Sequence, residues 1–335
     1  MRSVAVLFVV TYHVLMFFSV ISATSPLREL GHWGVMMFFV HTSFVLVLSL
    51  ERHQARGRER GLFAPFMVRR IFRIAPLATL VAVAIVLWKL PLAHMQNGQF
   101  RGMPLTLSDV LANLLFVQNL ASMDSLEAPM WSLPYEMQMY LVLPLLYLFV
   151  RRVSTAAVLL GCWLAVAVIC RVGLRFDDRG PFIMLEYVPC FMAGVGAYGL
   201  LRTPHRKWRF AVWPITLLVC AVCYCSRPTF AMSWGCCLAL GIALVSCADM
   251  APGIMSRICH LIARYSYGIY LTHFICIWLA FVLLGYLPWP VRVLVFAIAL
   301  VVLPLGLYHL VEAPMIKWGS RLTRATPFRG DAVLQ

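Results

Sequence analysis

Runs of about twenty apolar residues recur from one end of this chain to the other, and a segment of that length is what a bilayer requires of a spanning helix. In lipid every backbone N–H and C=O must be satisfied within the protein, so such runs fold as helices or as a closed barrel. Continuous apolarity, without strict alternation, selects helices. Composition agrees: 62% of residues are hydrophobic and 12% charged, against about 25% charged in soluble domains. The expected fold is therefore an all-α integral membrane protein. Hydropathy predicts about ten transmembrane helices, at 4–22, 33–50, 74–93, 131–150, 155–170, 183–201, 210–225, 231–247, 266–286 and 290–312. Segment 107–120 is apolar but interrupted by Asp109 and Asn113, which suits an interfacial or re-entrant piece. One transmembrane domain over 1–314 and a cytoplasmic tail over 315–335 are expected, with no internal repeat.

A net charge of +15 raises the question of nucleic acid. The basic residues fall instead in short stretches between apolar runs, the pattern of membrane topology. With the N-terminus inside, most Lys and Arg face the cytoplasm, including Arg2, Arg52, Arg69, Arg70, Arg73, Arg151, Arg152 and Lys317. The expected arrangement is N-in, C-in and multi-pass, in the cell (inner or plasma) membrane, with lipid and not nucleic acid as surroundings. Arg2 and the apolar run up to Ile21-Ser22-Ala23 imitate a signal peptide, but the run is long for one and carries His13, so it reads as a retained helix. Eleven cysteines show no zinc spacing. They read as small apolar residues, no metal is expected, and a Cys225–Cys236 bridge near the outer face is open.

Ionisable residues inside apolar runs point to function. Arg2 and His13 share the first segment, about 16 Å apart along a helix. That puts Arg2 at one membrane face and His13 near mid-bilayer, where an imidazole can move protons. Arg69, Arg70 and Arg73 sit where the third segment begins. Arg70 and Arg73 are three apart and share a face, and guanidinium forks suit phosphate, be it of a cytoplasmic ligand or of anionic lipid. Glu136 and His273 are also intramembrane. Glu136 would orient His13, bind an acceptor or pair with a basic group; His273 would line a tunnel or pack. His309 and Glu312 suit structural pairing near the inner face. Trp131 and Tyr140 suit stacking on a sugar or anchoring at the interface.

Six ordered motifs run from residue 2 to residue 314. They are Arg2 with His13 (R-x10-H), Gly34-Val-Met-Met-Phe-Phe-Val40, Arg69-Arg70-Ile-Phe-Arg73-Ile-Ala-Pro76, Trp131-Ser-Leu-Pro-Tyr-Glu136-Met-Gln-Met-Tyr140, Ser266-Tyr-Gly-Ile-Tyr-Leu-Thr-His273 and Glu312-Ala-Pro314. Together they resemble the acyltransferase family 3 membrane enzymes, in the stand-alone form without the fused SGNH-type hydrolase domain. The chain departs from the pattern after Val40, where His41-Thr42-Ser43-Phe44 stands in place of the family's usual Ser-Gly-Phe. The resemblance implies transfer of an acyl group, typically acetyl, from cytoplasmic acyl-CoA to a hydroxyl of a carbohydrate or lipid-linked glycan. It places His13 and Glu136 in catalysis, Arg2, Arg70, Arg73 and His273 with acyl-CoA, and Trp131 and Tyr140 with the acceptor. His13 would act as general base or as transient acyl carrier. Exopolysaccharide, lipopolysaccharide, a peptidoglycan precursor and a secondary metabolite are all open as acceptors. A transporter of a glycan or small acid is the alternative from another class, but transporters are commonly built from repeats with broken helices, and neither is present.

Overall fold

In the computed structural model the described residues are 1–323, less 23, 56–60, 97–98, 104, 154, 177–179 and 205–206. The fold is α-helical apart from one hairpin. The helices are α1 (Arg2–Phe17), α2 (Leu30–Ala55), α3 (Phe63–Trp88), α4 (Leu107–Leu114), α5 (Leu133–Val150), α6 (Ala156–Phe176), α7 (Val188–Leu201), α8 (Val212–Ser226), α9 (Phe230–Ser246), α10 (Ile254–Ile277), α11 (Trp289–Leu307) and α12 (Ala313–Leu322). Each apolar segment expected from the sequence falls on a helix. Six helical stretches are long and apolar enough to cross a membrane: Pro26–Ala55, Phe63–Trp88, Ala128–Val150, Ala156–Phe176, Ile254–Leu283 and Trp289–Leu322. α1, α7, α8 and α9 are apolar but shorter. α11 leaves Leu294, Val301 and Val302 more than half exposed, a surface that only lipid would cover. The chain is a multi-pass membrane protein.

Several boundaries differ from the sequence reading. Helix extends into the basic stretch on both sides: 51–55 close α2, and 63–73 form the first three turns of α3. Arginine is a good helix former, and Arg69 and Arg73 find partners inside the protein at Thr323 and Glu312. α3 also stops short of residue 93. Lys89 turns into the left-handed region at φ 50°, Pro91 follows, and a short antiparallel hairpin pairs β1 (His94–Gln96) with β2 (Gln99–Arg101). α10 begins at Ile254, twelve residues before the expected start. α11 runs through a π-helical turn (Tyr308–Glu312) into α12, so helix continues past 314, and Phe72 of α3 lies against Gly319 of α12. Positions 324–335 of the expected tail lie outside the described residues.

The polar residues that interrupt 107–120 are structural. Thr106 and Asp109 form a capping box at the start of α4, and the Thr106 hydrogen bonds hold the Asp109 carboxyl below the usual carboxylate range. Asn113 donates to Asp109 O and Asp124 O and accepts from Leu126 N. That pins the chain as it turns inward to a 3-10 turn (Ala128–Ser132) and α5. All eleven cysteines are free thiols, Cys225 and Cys236 included.

α2 is the centre of the bundle. Trp33, Met36, Met37 and Val40 are sealed from solvent, with α1 on one side and α7 on another. Two glycines set these contacts. A Cβ on Gly34 would stand 2.6 Å from Ala5 O of α1, and one on Gly194 of α7 would stand 2.1 Å from Val40 O and Ser43 Oγ of α2. Ser43 occupies the place of the family's glycine and is fully buried, its hydroxyl donating to Phe39 O at 2.8 Å. The small residue that this crossing needs is supplied by α7 instead.

A buried ion pair closes the α3 side. Arg73 Nη1 lies 3.2 Å from Glu312 Oε2, and Glu312 is 1% exposed. The closing motif of the chain is thereby tied to the arginine motif of α3. Two outcomes follow for thermal stability in detergent. Gly194→Val should cost about 1–3 kcal/mol by overpacking. Arg73→Ala should cost about 3–5 kcal/mol by stranding a buried carboxylate, and the double variant Arg73→Ala, Glu312→Gln should recover part of that loss. Equal melting temperatures for the single and double variants would contradict the pair.

Candidate active site

α1 carries His13 about three turns above Arg2, and α10 brings His273 against it. His13 Nδ1 is 2.9 Å from Val9 O and 3.0 Å from His273 Nε2. His273 Nδ1 is 2.8 Å from Tyr270 O. A carbonyl oxygen only accepts, so each Nδ1 bears the hydrogen. The neutral His273 ring then presents the lone pair of Nε2 to the His13 Nδ1–H. His13 is left with a free lone pair on Nε2, the tautomer that a general base or nucleophile needs. Tyr12 and Phe274 stand edge-on to the His13 ring, each with centroids 4.8 Å away, and shield it from bulk water.

His13 lines a cavity of about 650 Å³ with Met16, Arg28, Glu29, His32, His94, Trp131, Tyr187, Tyr270 and Phe274. The α1–α2 connection, the hairpin and the start of α5 each contribute a wall. Trp131 lies 5.6 Å from the His32 ring and 5.5 Å from that of Tyr187. His32 is held by Tyr224 Oη at 2.8 Å and Tyr187 Oη at 3.3 Å, with Glu29 and Glu186 carboxylates at 3.8 and 4.0 Å. Glu127, beside the lining residue Ala128, is fully buried with neither oxygen hydrogen-bonded, and burial pushes its carboxyl well above the usual carboxylate range.

A second, smaller cavity of about 90 Å³ lies toward Arg2. Arg2, His41, Arg70, Arg73, Ser132, Glu136, Tyr140, Tyr267 and Tyr270 line it. Val35 and Tyr270 border both cavities, so the two meet on either side of that pair. Tyr270 is fixed there, donating to Pro129 O at 2.6 Å with Ser132 Oγ at 2.8 Å. Tyr140 Oη donates to Glu136, and Arg73 is spent on Glu312. Arg2 stacks over Phe38. Arg2 and Arg70 share this pocket with the Glu136 carboxylate, but among the described residues neither guanidinium group makes a salt-bridge contact or a hydrogen bond, and the Nε of each is buried and unpaired. Cations left unpaired in a small cavity suit an anionic group of a ligand.

The structure thus redistributes the residues read from sequence. His13 and Trp131 share the large cavity; Arg2, Arg70 and Arg73 share the small one. Three residues stand elsewhere than expected. Glu136 lies among the arginines and does not touch His13, because α5 begins inside the protein, at the level of Tyr270. Tyr140 follows Glu136 into the arginine pocket and is out of stacking range of the large cavity. His273 belongs with His13 and not with the arginines. Arg70 and Arg73 are two turns inside α3, not at its N-terminus. Glu312 pairs with Arg73, whereas His309 meets Tyr265 Oη at 3.3 Å. His32, Tyr187 and Glu127 were missed as site residues; none stands in a motif, and only the apolar setting of Glu127 and Glu186 hinted at them. Among the described residues no cluster of three or more His, Cys, Asp or Glu is set to hold a metal.

Comparison with known proteins bears on the family. YrhL, a candidate peptidoglycan O-acetyltransferase of Bacillus subtilis (strain 168), is 29% identical over 171 residues, which cover 48% of this chain and 25% of that relative. The match therefore spans only a quarter of the relative's length. No solved structure matches. The acyltransferase domain of acyltransferase family 3 matches residues 1–309. With R-x10-H joined to the histidine of α10, and the arginine motif joined to the closing E-x-P, the chain belongs to acyltransferase family 3.

Proposed function

We propose that this chain is a multi-pass O-acyltransferase of the cell membrane, with ten spans and both termini in the cytoplasm. It moves an acyl group, acetyl by preference, from acyl-CoA to a hydroxyl of a glycan or lipid-linked glycan. The observation that carries this reading is the position of His13: a lone pair on Nε2, in a chamber that abuts an arginine pocket on its other side. Anionic phosphate of the donor sits against Arg2 and Arg70. The pantetheine arm passes Val35 and Tyr270 and brings the thioester to His13. The acceptor enters from the opposite side, past Arg28, His32 and His94, with Trp131 and Tyr187 as the faces on which a sugar ring stacks. A peptidoglycan-type glycan, the acceptor class in the printed name of YrhL, is one such ligand.

His13 Nε2 takes the proton of the acceptor hydroxyl as its oxygen bonds to the thioester carbon. The carbon–sulfur bond then breaks, and the imidazolium returns the proton to the CoA thiolate. The products are the O-acyl ester and CoA thiol. His273 is a positioning residue in this scheme: its Nε2 fixes the His13 tautomer and accepts from Nδ1–H while the imidazolium exists, the part a carboxylate takes in a serine-hydrolase triad. Attack by His13 on the thioester, giving an acyl-imidazole that the hydroxyl then opens, uses the same lone pair.

Acetyl-CoA turnover by purified protein, read as released CoA thiol, tests the proposal. His13→Ala should remove turnover and leave CoA binding within a few-fold of wild type; wild-type turnover in that variant would end the proposed chemistry. His273→Ala should lower kcat by about 10²–10⁴-fold with little change in KM, by analogy with loss of tautomer control in a triad, and His273→Gln, which keeps an acceptor facing His13, should recover part of it. An unchanged kcat for His273→Ala would remove His273 from the scheme.

A further inference from the structure

One polar residue of the arginine pocket has no part in this chemistry. His41 stands on α2 between the apolar run Phe38–Val40 and Thr42, and lines the cavity with Arg2 and Arg70. Its Nδ1 is sealed from solvent and has no hydrogen-bond partner. Its Nε2 has no partner among the described residues either, and that edge of the ring is the one that opens on the pocket. A histidine inserted into a site lined by guanidinium groups, with both nitrogens unpaired, is costly unless something in the site accepts from it.

The groups facing His41 are mostly cationic. Arg2 approaches from α1 and Arg70 and Arg73 from α3. Glu136 and Tyr140 from α5 and Tyr267 and Tyr270 from α10 complete the lining, with Glu312 behind Arg73. Three guanidinium groups oppose two carboxylates, so the free pocket carries an excess of positive charge. A phosphate between Arg2 and Arg70 reverses that field. A phosphate in contact with the ring gives Nε2–H an acceptor and favours the imidazolium form beside it.

We propose that His41 is a third ligand of the donor's anion, donating from Nε2 beside Arg2 and Arg70, and that it takes up a proton as the anion enters. The proposal rests on the reading of this pocket as the donor phosphate site. Affinity and proton uptake are linked, so CoA should bind more weakly as pH rises, by up to tenfold per pH unit at about pH 6–8.

Calorimetry of CoA binding to the purified full chain, in buffers of different ionisation enthalpy and without phosphate, measures that proton. Wild type should take up a substantial fraction of one proton near neutral pH. His41→Asn and His41→Gln should still bind CoA, with the uptake lost and the pH dependence flattened to that of the ligand itself. Uptake and slope unchanged in both variants would overturn the role of His41 and leave the donor pocket standing. Absence of CoA binding by wild type would overturn the donor pocket, and this inference with it. If neither variant survives purification, the wild-type buffer series decides: uptake upholds the proposal, and no uptake, or release, overturns it.

Discussion

The bond between His13 Nδ1 and His273 Nε2, 3.0 Å long, is the contact on which the account of this protein depends. It joins α1 to α10 at the middle of the apolar bundle, where an unpaired imidazole would be expensive. It also decides chemistry. Because each ring gives its Nδ1–H toward a carbonyl, at Val9 and at Tyr270, the single lone pair left over is His13 Nε2. The Tyr270 carbonyl sets the tautomer of His273, the Val9 carbonyl and His273 Nε2 together set that of His13, and the pair acts as one unit with one basic site. Tyr12 and Phe274 pack edge-on against the His13 ring, which also lines the large cavity.

The second organising feature is the separation of charge from the histidines. Arg2 sits about 16 Å along α1 from His13, and Arg70 and Arg73 of α3 line the same pocket as Arg2. Glu312 neutralises Arg73, and Tyr140 binds Glu136, so the guanidinium groups of Arg2 and Arg70 are the ones left for a ligand. In the proposed scheme anion recognition and proton transfer therefore occupy two cavities, which share Val35 and Tyr270 as lining. A donor with a charged end and a reactive end joined by a neutral arm fits such a division. A ligand held wholly in either cavity would not use both.

Much of this was legible in the sequence, and the remainder was hidden for physical reasons. Apolar runs of bilayer length marked every major helix, since nothing but helix satisfies their backbone in lipid. The charged ends were not legible: α3 begins eleven residues before its apolar stretch and α10 twelve, because arginine is a good helix former and is no obstacle to helix. His13 and Arg2 stood out, being ionisable residues in an apolar run. Their partners did not. His13 and His273 are 260 positions apart, and Arg73 and Glu312 are nearly as distant, so only the packing of α1 on α10 and of α3 on the end of α11 unites them. Glu136 was misplaced because its depth was counted from an assumed helix start at the surface, whereas the chain descends through Asn113 and the Ala128–Ser132 turn before α5 begins. The loss of the family's glycine at Ser43 was visible, but its compensation by Gly194 on α7 was not.

The central claim is that donor and acceptor reach His13 from opposite faces. Proteoliposomes sorted for orientation, with acetyl-CoA supplied to one face at a time, test it most directly. The account predicts His13-dependent release of CoA thiol when acetyl-CoA is offered on the face that carries Arg2 and Arg70, and none when it is offered on the face that carries Arg28. Equal release from both faces, or release from the Arg28 face alone, would contradict it.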